Sequence, residues 1–197
     1  MVERVIGHFR RAKLTSFQTP TEASWESEQR AEAYLATLDK ATRVNVTRFV
    51  DFARELQPRM GETRIAVIAV GSSTRPEERN HPVHDIDLRI LNSAEPVSEA
   101  RLATIRTIGD AVRDYLQSAQ IPSVESRRTA NESMVPADSW LGKSFEDFYN
   151  RDPSFTTKLG DGLPLHISLS GADNFALDQY LQIEKDRGTS TVLLVKP

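Results

Sequence analysis

The chain has 197 residues, 39% hydrophobic and 27% charged, with a net charge of −3 and no cysteine. That is enough for one compact domain with a real core and a helical extension. It excludes disulfides, thiolate metal sites and cysteine nucleophiles, and the slightly acidic balance is not the global footprint of a nucleic-acid binder, although a local basic patch stays open.

No apolar run approaches the roughly 20 residues that span a membrane, and the N-terminus carries no apolar core of a secretory signal. The expected location is the cytoplasm, with which the lack of cysteine agrees. Residues 1–20 mix Arg4, His8, Arg10, Arg11 and Lys13 with Val2, Val5, Ile6 and Phe9. The spacing predicts a short amphipathic helix, either a basic arm or a segment docked by its apolar residues. Thr19-Pro20-Thr21 reads as a helix start, and helical composition then runs to about Leu56, with Trp25 near its beginning. Tyr34, Leu35 and Leu38 form one stripe; Val46, Phe49, Val50, Ala53 and Leu56 form another. A break near Asp39–Thr42 separates two helices and Pro58 closes the second. Stripes of this kind are core packing. The expected organisation is a helical extension over residues 1–60 packed on a domain over 61–197, the two making one unit.

Ile65–Val70 is six apolar residues in a row, four of them β-branched, which predicts a strand buried on both faces. Gly71-Ser72 ends it. Glycine permits the tight turn, and the N–H groups beyond it can form a concave anion site. After a polar loop, Asp85–Leu91 alternates, with Asp85, Asp87 and Arg89 on one face and Ile86, Leu88 and Ile90 on the other. Two carboxylates at i and i+2 on a strand have Cα atoms about 7 Å apart. They can reach one divalent ion or bracket two ions roughly 3.5–4 Å apart. Hard oxygen ligands beside a phosphate site suit Mg²⁺ or Mn²⁺.

Pro96-Val97-Ser98 opens a helix to about Gln120, with Ser98 as N-cap and Ile105, Ile108, Val112, Tyr115 and Leu116 on one face. Ser123–Thr129 reads as a strand ending in Arg127 and Arg128, which either bind phosphate or are solvated. Asn131–Asn150, with Trp140 and a short helical run Phe145–Tyr149, reads either as a lid or acceptor-binding insertion or as a loop pinned by Trp140. Phe155–Leu159, the turn Gly160-Asp161-Gly162 and Leu163–Ser170 predict a β-hairpin. In its second strand Leu163, Leu165, Ile167 and Leu169 face one way, and Pro164, His166, Ser168 and Ser170 the other. A helix from Asp173 to about Lys185 follows, ended by Arg187-Gly188. Thr191–Val195 is a last strand, at a sheet edge or crossing between the subunits of a homo-oligomer.

The order apolar strand, Gly71-Ser72, Arg75, polar loop and strand-borne Asp85-Ile86-Asp87-Leu88 resembles the signature of the DNA polymerase β-like nucleotidyltransferase superfamily. The resemblance is strong over Ile65–Leu91 and elsewhere rests on element order. Pro76 and His84 stand where the family often has Gly and Ser. The resemblance implies an α/β (α+β) fold, a mixed and largely antiparallel sheet flanked by helices, with Val46–Leu56 packed on the sheet. It implies that Gly71, Ser72 and Arg75 hold the triphosphate of an NTP and that Asp85 and Asp87 bind Mg²⁺ or Mn²⁺. It also implies a third carboxylate on a neighbouring strand, and by element order His166 occupies that place.

Three readings of His166 stand. It replaces the third acid as proton acceptor or metal ligand, its ordinary pKa of about 6.5 suiting a base at neutral pH; as a ligand, imidazole tilts the preference towards Mn²⁺ or a later metal. Alternatively the acid comes from Asp161 or Asp173. Or the site is degenerate and binds nucleotide without turnover. The expected function is transfer of a nucleoside monophosphate from NTP to an acceptor, which the sequence does not name among small molecules, proteins and RNA. The alternatives are a nucleotidyltransferase-like binding or regulatory protein and a phosphoesterase using the same two Asp.

Overall fold

Ile65–Val70 is the central structural fact of the chain, because both of its faces are buried. The computed structural model describes residues 28–75, 82–96, 98–128, 134–136, 153–157, 161–169, 176–186 and 191–197. The expected basic arm, the helix start at Thr19–Thr21, Trp25, Trp140, the run Phe145–Tyr149, and Asp173 lie outside the described residues, as do the side chains of Arg127 and Arg128.

The strands are β1 (Ile65–Val70), β2 (Ile86–Asn92), β3 (Ser123–Arg128), β4 (Met134–Pro136), β5 (Pro153–Thr157), β6 (Leu165–Ser168) and β7 (Val192–Val195). The helices are α1 (Glu28–Thr37), α2 (Lys40–Leu56), α3 (Glu99–Ser118) and α4 (Leu177–Asp186). The strands form one sheet in the order β4-β3-β5-β6-β2-β1-β7. Every pair is antiparallel except β2–β6, so this α+β fold has the mixed, largely antiparallel sheet that was expected.

Alternation sorts the β1 side chains into two cores. Ile65, Val67 and Ala69 join Ile86, Leu88, Ile90, Leu165 and Ile167 under the apolar stripes of α2 and α3. Ala66, Ile68 and Val70 face the other way, with Leu91 and Leu193, and are covered by Leu177, Tyr180 and Leu181 of α4. Each fully buried Ile, Leu or Val contributes about 1.5–3 kcal/mol, which makes this double burial the main fixed point of the fold. β7 is an edge strand, yet all four of its residues are buried, and α1 packs along it.

Local chemistry sets the helix boundaries. Asp39 caps α2, accepting from the backbone N–H groups of Ala41 and Thr42, each at 3.0 Å, and from the Thr42 hydroxyl at 2.6 Å. Ser98 caps α3 through the Arg101 N–H at 3.1 Å. α3 ends at Ser118, slightly short of the expected Gln120, which adopts φ +54° just beyond it. The predicted hairpin is present as β5–β6, but its strands end at Thr157 and begin at Leu165, so the connection is longer than a tight Gly-Asp-Gly turn. The reason lies in Gly162 and Leu163, which leave the ladder to pack on the first turn of α2. The Leu163 N–H donates to Thr42 Oγ1 at 2.8 Å, and a Cβ on Gly162 would lie 2.8 Å from the Thr42 nitrogen.

Candidate metal centre

β2 carries Ile86, Leu88 and Ile90 to the α2/α3 face and Asp87 and Arg89 to the α4 face. Ile86, Leu88 and Ile90 are buried, while Asp87 and Arg89 are only half-buried. Asp85 immediately precedes the strand. The start of β2 is fixed by the Ile86 N–H, which donates to the Pro164 carbonyl at 2.9 Å. That bond locks the parallel register with β6, and Asp87 then stands directly opposite His166. Asp87 also faces Val70 across the antiparallel pair with β1, and His166 faces Thr156 on β5.

The outcome is a compact trio. Asp87 Oδ1 lies 3.1 Å from His166 Nδ1. Asp85, Asp87 and His166 each bring one ligand atom within 4.8 Å of the others, and all three are half-buried. Such spacings fit one ion with ligands at about 2.0–2.2 Å. The donor set of two carboxylates and one imidazole suits a divalent cation, with imidazole favouring Mn²⁺ or a later metal over Mg²⁺. Among the described residues no other group of this kind occurs. Asp161, the nearest alternative acid, is exposed beside Gly162 at the α2 end of the loop and is not part of the trio.

The electrostatics of the trio are those of crowded anions. Burial, and then the charge of Asp87, push the Asp85 carboxyl above its ordinary value, while His166 and His84 pull it down. His84, noted in the sequence only as a departure from a pattern, is therefore close enough to bias the site. Its exposed side chain adds positive charge when protonated, where serine would add none.

Gly71-Ser72 opens a single 3₁₀ turn, Gly71–Thr74. Gly71 has φ +80°, and a Cβ there would sit 2.5 Å from Asp87 Oδ2. The turn therefore lies against the Asp87 carboxylate. Ser72 and Arg75 are exposed, whereas Ser73 and Thr74 are buried, the Thr74 hydroxyl donating to the Gly71 carbonyl at 2.8 Å. Gly71, Ser72, Asp85, Asp87 and His166 are thus brought to one end of the sheet, and Arg75 leaves the turn beside them.

Arg89, the third polar residue of β2, takes a different part. Its guanidinium donates to the Tyr180 hydroxyl and lies 3.9 Å from Glu184 Oε1. Glu184 is buried and accepts from the Thr191 hydroxyl at 2.8 Å. This cluster fastens α4 and the start of β7 to β2. Sequence alternation finds Arg89 on the acid face but gives no sign of its partners, which both come from α4, some 90 residues further on. Compared with models of known protein families the chain gives no match, and compared with curated proteins it gives none.

Proposed function

We propose that the chain is a metal-dependent nucleotidyltransferase that moves a nucleoside monophosphate from an NTP to an acceptor and releases pyrophosphate. The observation that carries the reading is the convergence of Asp85, Asp87 and His166 within 4.8 Å, with Gly71 packed against Asp87. In this reaction an acceptor oxygen forms a bond to the α-phosphorus. The bond from that phosphorus to the oxygen bridging to the β-phosphorus breaks, and pyrophosphate leaves with that oxygen. Gly71, Ser72 and Arg75 bind the β- and γ-phosphates and orient the chain of phosphorus atoms for in-line attack. Asp85 and Asp87, with His166 as third ligand or neighbour, would hold Mg²⁺ or Mn²⁺, which supplies neutralisation of the phosphate oxygens. When Nδ1 of His166 donates to Asp87, Nε2 is the ring nitrogen that takes the acceptor proton.

The test is incubation with each labelled NTP and Mg²⁺ or Mn²⁺, with and without cell extract, following pyrophosphate and label. The Asp85→Asn/Asp87→Asn double variant is the control. Pyrophosphate release that depends on both Asp, with label moving to an acceptor, is expected; the labelled species names the acceptor. Label released as free nucleotide with no acceptor product would instead point to a phosphoesterase.

A second reading is favoured by one observation, the imidazole of His166 in contact with Asp87 where a third carboxylate would complete the resemblance. On that reading the chain binds NTP and metal without turnover and acts as a regulatory or partner-binding protein. Metal-dependent NTP binding with no consumption of the nucleotide distinguishes it.

A further inference from the structure

The phosphate turn is held from behind by a residue far away in sequence. Tyr34 of α1 is 1% exposed, and its hydroxyl lies 3.0 Å from Ser73 Oγ, itself buried at 3% exposure. The two residues are 39 positions apart. Ser73 and Thr74 are buried while Ser72 and Arg75 are exposed, and Gly71, at the start of the turn, lies against Asp87. A one-turn 3₁₀ segment has little internal rigidity. The Tyr34 contact fixes it laterally, just as the Thr74 hydroxyl fixes it along the chain through the Gly71 carbonyl.

We infer that Tyr34 is a positioning residue for nucleotide binding, acting through Ser73 to hold the Gly71–Thr74 turn in the conformation that receives the triphosphate. This rests on the nucleotidyltransferase reading of the turn. Its consequence is that α1 is part of the binding apparatus as well as of the core. A hydroxyl that served packing alone would cost stability when removed. One that sets the turn alters nucleotide affinity, and it does so through Ser73.

The experiment is a double-mutant cycle with Tyr34→Phe, Ser73→Ala and both together, in the full chain. Each is measured for KM and kcat with NTP and Mn²⁺, for NTP dissociation constant by titration, and for thermal midpoint. Loss of a buried hydrogen bond is expected to weaken nucleotide binding about fivefold to tenfold in either single variant, with kcat changed less than about twofold. The double variant is expected to be no worse than Ser73→Ala alone, which loses the Tyr34 contact and also the longer 3.5 Å bond from its hydroxyl to the Val70 carbonyl. Ser98→Ala, which removes the α3 cap far from the turn, is expected to lower the midpoint without moving KM. Unchanged affinity in Tyr34→Phe, or losses that simply add in the double variant, would overturn the inference while leaving the nucleotidyltransferase reading intact. Wild-type protein that neither binds nor consumes any NTP would overturn that reading, and this inference with it.

Discussion

Gly71 and Asp87 approach so closely that a methyl group on the glycine would lie 2.5 Å from Asp87 Oδ2. The same glycine has φ +80°, where a side chain is strained whatever the space. Gly71→Ala therefore carries two separate penalties. The backbone strain is expected to lower stability by about 1–2 kcal/mol. Displacement of the Asp87 carboxylate is expected to weaken Mn²⁺ binding at least about tenfold, as judged from losses caused by disturbed ligand support. Calorimetric Mn²⁺ titration and chemical denaturation measure the two effects separately. Metal affinity within twofold of wild type would show that the turn does not bear on the ligand.

Asp85 supplies a pH prediction whose sign follows from its raised pKa. The folded protein holds a proton on Asp85 at a pH where the unfolded chain, with an ordinary value of 3.8, has released it. Stability of the metal-free protein therefore falls as pH rises from about 3.8 through the raised folded value, and stays lower at neutral pH. Asp85→Asn removes both the desolvated charge and the repulsion from Asp87. It is expected to stabilise the metal-free protein at pH 7 by no more than about 1 kcal/mol, the group being half exposed, and to give no gain below pH 3.8. The same substitution is expected to abolish metal-induced stabilisation. Thermal midpoints of both proteins at pH 3.5 and 7, with and without Mn²⁺, read out the whole pattern. A wild-type protein that is more stable than the variant at pH 7 without metal would contradict it.

Much of this site is legible in the chain because its determinants are local. Six apolar residues ended by Gly71 announce a doubly buried strand, and the alternation of Asp85–Ile90 puts both carboxylates on one face. The opposition of His166 to the apolar Leu165 and Ile167 works in the same way. What the sequence does not carry is the pairing between elements. The parallel register that sets Asp87 beside His166 depends on the bond from Ile86 to Pro164 and on the packing of Gly162 and Leu163 on α2. Tyr34 reads as one member of an apolar stripe, and nothing in its neighbours marks its hydroxyl as a partner of Ser73. β4 escapes notice for a related reason: three residues are too few for any periodicity, and the strand exists through its pairing with β3.

On the proposed reading of the site, His166 sets which ion the trio would prefer. Imidazole raises affinity along the series towards later transition metals, while a third carboxylate suits Mg²⁺. His166→Ala is expected to reduce Mn²⁺ affinity at least about tenfold. His166→Asp is expected to recover binding while moving the preference towards Mg²⁺. If turnover is observed, the metal giving the highest rate should move with it. Competition between Mn²⁺ and Mg²⁺, followed by electron paramagnetic resonance of free Mn²⁺, measures this directly. An unaltered Mn²⁺/Mg²⁺ ratio in His166→Asp would mean that His166 is not a ligand and serves through its contact with Asp87.

Asp39 ties the helical layer to the strand that bears His166. Burial acts to raise its pKa, but hydrogen bonds from the Thr42 hydroxyl and from the N–H groups of Thr42 and Ala41 outweigh that and hold the carboxyl below its ordinary value. A depressed carboxyl stabilises the fold above the unfolded value of 3.8, and the contribution is lost as pH falls through the lower folded value. Asp39→Ala is expected to cost about 1 kcal/mol at pH 7, the usual worth of an N-cap, with the difference from wild type shrinking below pH 3.8. The Thr42 hydroxyl that Asp39 orients is also the acceptor for the Leu163 N–H. Loosening it frees the residues leading into β6, so Mn²⁺ affinity is expected to fall by a few-fold as well. Thr42→Val, which keeps the shape and deletes the hydroxyl, should reproduce the loss of affinity with less loss of helix stability. A full loss of stability in Asp39→Ala with metal affinity untouched in both variants would separate the cap from the site.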